Sequence, residues 1–92
     1  MANVVRNNTE RSRYELFDED RLVGIADYEV LPDRVVFPHT EIVPARRGQG
    51  LGAELVGAAL DDVRGSGRRV VPQCWYVAEF IQDNPAYAEL VA

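Results

Sequence analysis

The sequence predicts an α+β fold: a mostly antiparallel central sheet of about five strands, one main helix after the fourth strand, and a short broken helix at the C-terminus. Three observations predict it. Four β-rich segments follow one another over residues 4–43 with only brief turns between them. The apolar pattern then switches to a helical period over residues 51–63. A short apolar run at 70–73 follows, and the rest divides into two short helical stretches at Asn84-Pro85.

Val4-Val5-Arg6 reads as the first strand and Asn7-Asn8 as a turn. Tyr14 to Phe17 form the second strand, closed by the acidic turn Asp18-Glu19-Asp20. Residues 22–31 are rich in β-formers, and Pro32-Asp33 breaks them with a tight turn. Residues 34–43 resume the β pattern with Val35, Val36, Phe37 and Ile42, and Pro44 ends it. In the helix, Leu51, Leu55, Val56, Ala59, Leu60 and Val63 line one face. Gly65-Ser66-Gly67 offers two candidates for a left-handed cap, with Arg64 and Arg68 near the negative end of the helix dipole. Residues 70–73 read as a short buried strand, 76–82 as a short helix, and 85–91 as its continuation after a break.

Composition narrows the function. The chain has 92 residues, 47% of them hydrophobic, and a net charge of −5, which is ordinary for a globular domain and opposite to that of a nucleic-acid binder. One cysteine excludes an internal disulfide framework. No apolar run approaches a membrane span or a signal peptide, so the expectation is one cytoplasmic domain over residues 1–92 with neither nucleic acid nor membrane as partner. One histidine and one cysteine supply no recognisable ligand spacing, so no metal is expected.

The most informative stretch is Arg46-Arg47-Gly48-Gln49-Gly50-Leu51-Gly52, between the fourth strand and the helix. Bare glycine backbone lets several amides converge on one anion, and the helix mouth adds its free N–H groups and positive dipole. Arg46 and Arg47 place local positive charge in an acidic protein, which points to a small polyanionic ligand. The plain alternative is a flexible connection with a solvated arginine pair. The run also fits G-x-G-x-x-G/A, but a dinucleotide site needs a parallel βαβ unit and an acidic residue about twenty positions on. The strand after the helix has no Asp or Glu, and no Gly-Lys-Ser/Thr marks a nucleoside-triphosphate loop.

Read as R-x-x-G-x-G through Arg47, Gly50 and Gly52, the stretch resembles the acyl-CoA pyrophosphate loop of the GNAT acetyltransferase superfamily. With His39 to Pro44 before it, Val71-Pro72-Gln73-Cys74 after it and Asn84-Pro85-Ala86-Tyr87 near the end, the chain is similar to the superfamily's very small branch of about a hundred residues. The resemblance implies that acetyl-CoA is the ligand. It implies that the amides from Arg47 to Gly52, with Gly48, Gln49 and Leu51 among them, hold the pyrophosphate, and that Ile42 and Val43 pair with the pantetheine arm in a splay between the fourth and fifth strands. It also implies that Asn84 and Tyr87 lie along the pantetheine, with Tyr87 near the thioester sulfur as a proton donor to the leaving thiolate. The helices that elsewhere separate the first two strands are missing, because residues 7–13 are too few to contain them. The acceptor is therefore an unidentified amine, and the oligomeric state is undetermined.

Cys74 is either a thiol able to take the acetyl group or a small buried hydrophobe. His39 and Glu41, two residues apart on one face of a strand, are the candidate bases for deprotonating an amine; Thr40 faces the other way and is read as structural. Trp75, Tyr76 and Phe80 read as core or as the wall of a ligand groove. The functional expectation is an acetyl-CoA-dependent N-acetyltransferase working directly or through Cys74. A CoA-binding module without efficient catalysis is the alternative.

Overall fold

Alternation in the first half and helical periodicity in the second resolve, in a computed structural model, into nine short elements; residues 3–92 are described. The strands are β1 (Asn3–Asn8), β2 (Arg13–Asp18), β3 (Arg21–Val30), β4 (Arg34–Ile42) and β5 (Arg69–Val71). Helix α1 (Leu51–Ser66) joins β4 to β5, α2 (Trp75–Asp83) follows β5, and 3-10 turns occupy Pro44–Arg46 and Pro85–Leu90. The sheet runs β1-β2-β3-β4-β5, antiparallel except for the parallel pair β4–β5.

Asn7 and Asn8 do not turn the chain. They pair with Tyr14 and Arg13 at the end of β1, and the reversal falls at residues 9–12, where Ser12 takes a φ of 52°. Side-chain amides outside the turn explain the shift: Asn7 accepts from the Tyr28 hydroxyl, and Asn8 donates to Glu15. β5 is shorter than its apolar run because Pro72 has no N–H to continue a ladder. The last helical stretch is a 3-10 helix, and α2 begins one residue earlier than the pattern predicts, at Trp75.

All the helices feed one core cluster on one face of the sheet. Leu51, Leu55, Val56, Ala59, Leu60 and Val63 are all buried, as their period requires. α1 lies close over β3 because Gly24 has no side chain; a Cβ there would stand 3.4 Å from Leu55 and 2.6 Å from Ile42. The Tyr14 hydroxyl reaches across to Asp62 of α1 at 2.6 Å. Burial, and then that carboxylate, raise the Tyr14 pKa, so the phenol stays a donor. Gly67 closes α1 at φ 78°, the left-handed cap expected of the Gly65-Ser66-Gly67 run.

Period-two alternation and the strand register put Phe17, Ile25, His39 and Glu41 on the other face, together with the buried Glu15. Burial pushes the Glu15 carboxyl up. Hydrogen bonds from Arg13 at 2.7 Å and Asn8 at 3.1 Å outweigh it, and the pKa falls below the ordinary 4.5. A carboxyl depressed on folding contributes stability above its unfolded pKa, and this is lost as pH falls through the folded value. Glu15→Gln is therefore expected to destabilise the protein at neutral pH. Urea melts at stepped pH should show the difference from wild type shrinking below about pH 4.

Two bulges shape the sheet. One lies in β3 at Val23, between the pairs Leu16↔Gly24 and Phe17↔Leu22. The other matters for function: between Asp27↔His39 and Glu29↔Val36, β4 advances three residues while β3 advances two. Pro38 sits in this bulge, where a missing N–H costs no ladder bond. Pairing of β4 with β5 ends at Val36↔Val71, with one further bond from the Cys74 amide to the Phe37 carbonyl at 2.8 Å. Beyond it, among the described residues, no strand of the sheet covers the far edge of β4 from Pro38 to Ile42.

A cleft between the open edge of β4 and the mouth of α1

The divergence of β4 and β5 opens a cleft of about 860 Å³. One wall is Pro38 to Ile42 of β4; the other is Gln73, Cys74, Trp75 and Tyr76; Arg46, Arg47, Gly48, Gly50, Leu51 and Gly52 close one end. The cleft thus joins the glycine loop, the lone thiol and the His39–Glu41 pair.

At the loop end, Gly48 and Gly50 take φ of 81° and 78°, conformations that disfavour any residue with a Cβ. Nothing lies within 4 Å of the Cβ either would carry. Gly50 is the N-cap of α1, and no side chain caps the helix. The first helical bond runs from the Glu54 amide to the Gly50 carbonyl, so the amides of Leu51, Gly52 and Ala53 have no helical acceptor. Free N–H groups at a helix mouth are donors available to an anion.

The arginines are already engaged. Arg46 donates to Asp18 at 2.8 Å and to Gln49 at 2.9 Å, which ties the loop to the β2–β3 turn. Arg47 donates to the Ile42 carbonyl at 3.1 Å, on the open stretch of β4. Gln49 and Val43 do not line the cleft; the Val43 amide instead bonds the Val23 carbonyl.

Cys74 is buried and is the N-cap of α2. Its thiol donates to Thr40 Oγ1 at 3.7 Å. Burial raises its pKa, but the amides of Val77 and Tyr76 at the helix start and the Thr40 hydroxyl favour the thiolate, and the net shift is downward. Thr40, read from the sequence as structural, is thus the side chain that touches the thiol. Alternation signals this, because Thr40 and the helices share a face of β4.

His39 and Glu41 stay together, with Nε2 and Oε1 3.3 Å apart and both side chains more than half exposed. Asn84 and Tyr87 are not brought to the cleft. Asn84 caps the end of α2 by donating to the Phe80 carbonyl at 2.8 Å. Tyr87 packs on Phe80, and its hydroxyl donates to Asp61 of α1 at 2.8 Å. Nine residues of α2 carry the chain past the cleft before residue 84 is reached. The tyrosine that borders the cleft is Tyr76, whose hydroxyl would stand 2.5 Å from a Cβ at Gly52. A glycine in the first turn of a helix is the sequence signal for such a close approach. Burial, and then Glu79, raise the Tyr76 pKa and keep the phenol protonated.

A profile described as GCN5-related N-acetyl-transferase matches residues 13–90. The chain belongs to that family. Among curated proteins it is similar to Protein NATD1 of Bos taurus, 41% identical over 59 residues, which are 63% of this chain and 52% of that protein. Protein NATD1 of Homo sapiens is 37% identical over 59 residues, with the same two shares. The chain thus spans about half the length of these relatives. Among solved structures, the ribosomal-protein-S18-alanine N-acetyltransferase from Escherichia coli superposes with a TM-score of 0.62 at 23% identity, over 70% of this chain and 43% of that one. That likeness concerns the fold. Among the described residues no helix is long and apolar enough to cross a membrane, and no three His, Cys, Asp or Glu side chains group as metal ligands.

Proposed function

We propose that residues 1–92 form a minimal acyl-CoA-binding domain that transfers acetyl from acetyl-CoA to an amine. The observation that carries this reading is the run of free amides at the mouth of α1, opening into the cleft that also holds Cys74 and the His39–Glu41 pair. Gly48, Gly50, Leu51 and Gly52 would hold the diphosphate, with Arg47 and Arg46 beside it. The open edge of β4 at Ile42 would take the pantetheine amides as a further strand. Arg47 would release the Ile42 carbonyl to do so and turn to the phosphates. Tyr76, which borders the cleft, would donate to the bound arm.

In direct transfer, the amine loses a proton to His39 or Glu41, and its nitrogen attacks the thioester carbonyl carbon. The new C–N bond replaces the C–S bond, and CoA leaves as a thiol after gaining a proton. A route through Cys74 is favoured by its lowered pKa and its Thr40 contact. There the thiolate takes the acetyl group and releases CoA, and the amine then takes the acetyl from the Cys74 sulfur. On this second route Cys74→Ala is expected to reduce CoA release in the presence of amine by about a hundredfold or more, and mass spectrometry should find one acetyl group on wild-type Cys74. Unchanged turnover in Cys74→Ala would assign direct attack. Tight CoA binding without transfer to any amine would leave a binding module.

A further inference from the structure

The helices share the core cluster on one face of the sheet. On the other face, strand pairing sets side chains in three cross-strand rows over β1 to β4. The first row is Val4, Phe17 and Leu22. The second is Arg6, Glu15, Ile25 and Glu41, and the third is Asn8, Arg13, Asp27 and His39. The first row is apolar and open: Val4 and Leu22 are 42% and 38% exposed, and the Arg6 guanidinium lies over the Phe17 ring, 5.4 Å from its centroid. Charge divides the other two rows by strand. β1 and β2 carry Arg6 and Arg13 against Glu15, which already accepts from Arg13 and Asn8. β3 and β4 carry Asp27 and Glu41, with His39 as the sole basic side chain in these rows. Arg6 and Asp27 have no ion pair among the described residues.

We propose that this open face is a homodimer interface, occupied by a second copy of the chain turned about a two-fold axis that runs parallel to the strands between β2 and β3. That axis exchanges the basic half with the acidic half and lays each row on the same row of the second copy. Phe17 meets Leu22, Arg13 meets Asp27 and Arg6 meets Glu41, each contact being made twice. Glu15 meets Ile25, and its carboxylate is already satisfied within its own chain. A two-fold axis across the strands would instead set β1 on β1 and Arg6 against Arg6, so charge selects the first orientation. Aligned sheets pack about 10 Å apart and cross at about 30°, which offsets the outer strands by a few ångströms, within reach of an arginine. The face is small, and each copy carries a net charge of −5, so the dimer is reversible and dissociates at roughly 10–100 µM. Glu41 also borders the cleft, so Arg6 of the second copy would stand at its rim. Self-association of this kind holds whether or not the chain transfers acetyl groups.

The test is sedimentation equilibrium of the full chain over about 5–500 µM, across which wild type is expected to pass from monomer to dimer. Arg6→Glu alone and Glu41→Arg alone each bring like charges face to face, and each is expected to weaken the dimer at least about tenfold. An equimolar mixture of the two variants restores opposite charges at both contacts, so a heterodimer about as tight as wild type is expected. Both positions are exposed, so both variants are expected to fold, which circular dichroism checks. Wild type that stays monomeric throughout the range overturns the interface. A dimer that Arg6→Glu leaves intact, or two folded variants that fail to pair on mixing, overturns it as well.

Discussion

Gly50→Val is expected to weaken CoA binding about tenfold or more while the protein stays folded. Two effects act at one position. At φ 78° a residue with a Cβ costs about 1–2 kcal/mol, so the loop would relax and turn its amides away. Gly50 also lines the cleft, and nothing of the protein lies within 4 Å of the Cβ a valine would carry, so the added side chain would take up open space at the loop. The same openness is why the fold should survive: there is strain but no clash with the core. Calorimetry with CoA measures the affinity, and circular dichroism checks the fold. Gly65→Ala serves as the control. Gly65 lies within α1 without positive φ, and nothing stands within 4 Å of its Cβ. It is expected to leave CoA affinity unchanged and to stabilise the helix by up to about 1 kcal/mol. Equal CoA affinity in Gly50→Val and wild type would contradict the assigned loop.

Leu55→Ala is expected to give a large loss of stability, about 2–5 kcal/mol. Leu55 is fully buried and fills the space over Gly24, where β3 has no side chain of its own to offer. Truncating it leaves a cavity that neither the bare glycine nor the helix backbone can fill. For a domain of this size the loss corresponds to a fall in melting temperature of roughly 10–30 °C, readable by calorimetry. Since this contact seats α1 on the sheet, the loop at the head of the helix should lose CoA affinity as the melting temperature is approached. A fall of only a degree or two would mean that α1 is held elsewhere.

Sequence made much of this legible, for identifiable reasons. The run from Leu51 to Val63 has one apolar face, and every residue on it is buried, because a helix against a sheet has no other way to hide that face. Glycines at 50 and 67 bracket the helix where left-handed backbone is needed. The pairing of His39 with Glu41 follows from alternation alone. Other features depend on contacts distant in the chain. The bulge at Pro38 adds a residue to β4; a proline inside a strand suits a bulge or an open edge alike, and only the pairing with β3 decides. The contact of Thr40 with Cys74 joins residues 34 apart in sequence, across a cleft that cuts through the sheet. The arginine pair reads as free charge, although Arg46 is bound to Asp18, 28 residues away. Tyr87 resembles a site tyrosine by its neighbours, but the length of α2 and the break at Asn84 carry it to Asp61.

On the proposed reading, the backbone N–H groups between Gly48 and Ala53 receive the diphosphate of CoA. A titration of nitrogen-15-labelled protein with CoA, followed amide by amide, tests it most directly. The amides of Gly48, Gly50, Leu51 and Gly52 are expected to move first and furthest, and 3′,5′-ADP, which lacks the diphosphate bridge and the pantetheine arm, to move them less. Saturable CoA binding that leaves those four resonances in place and shifts another surface would contradict it.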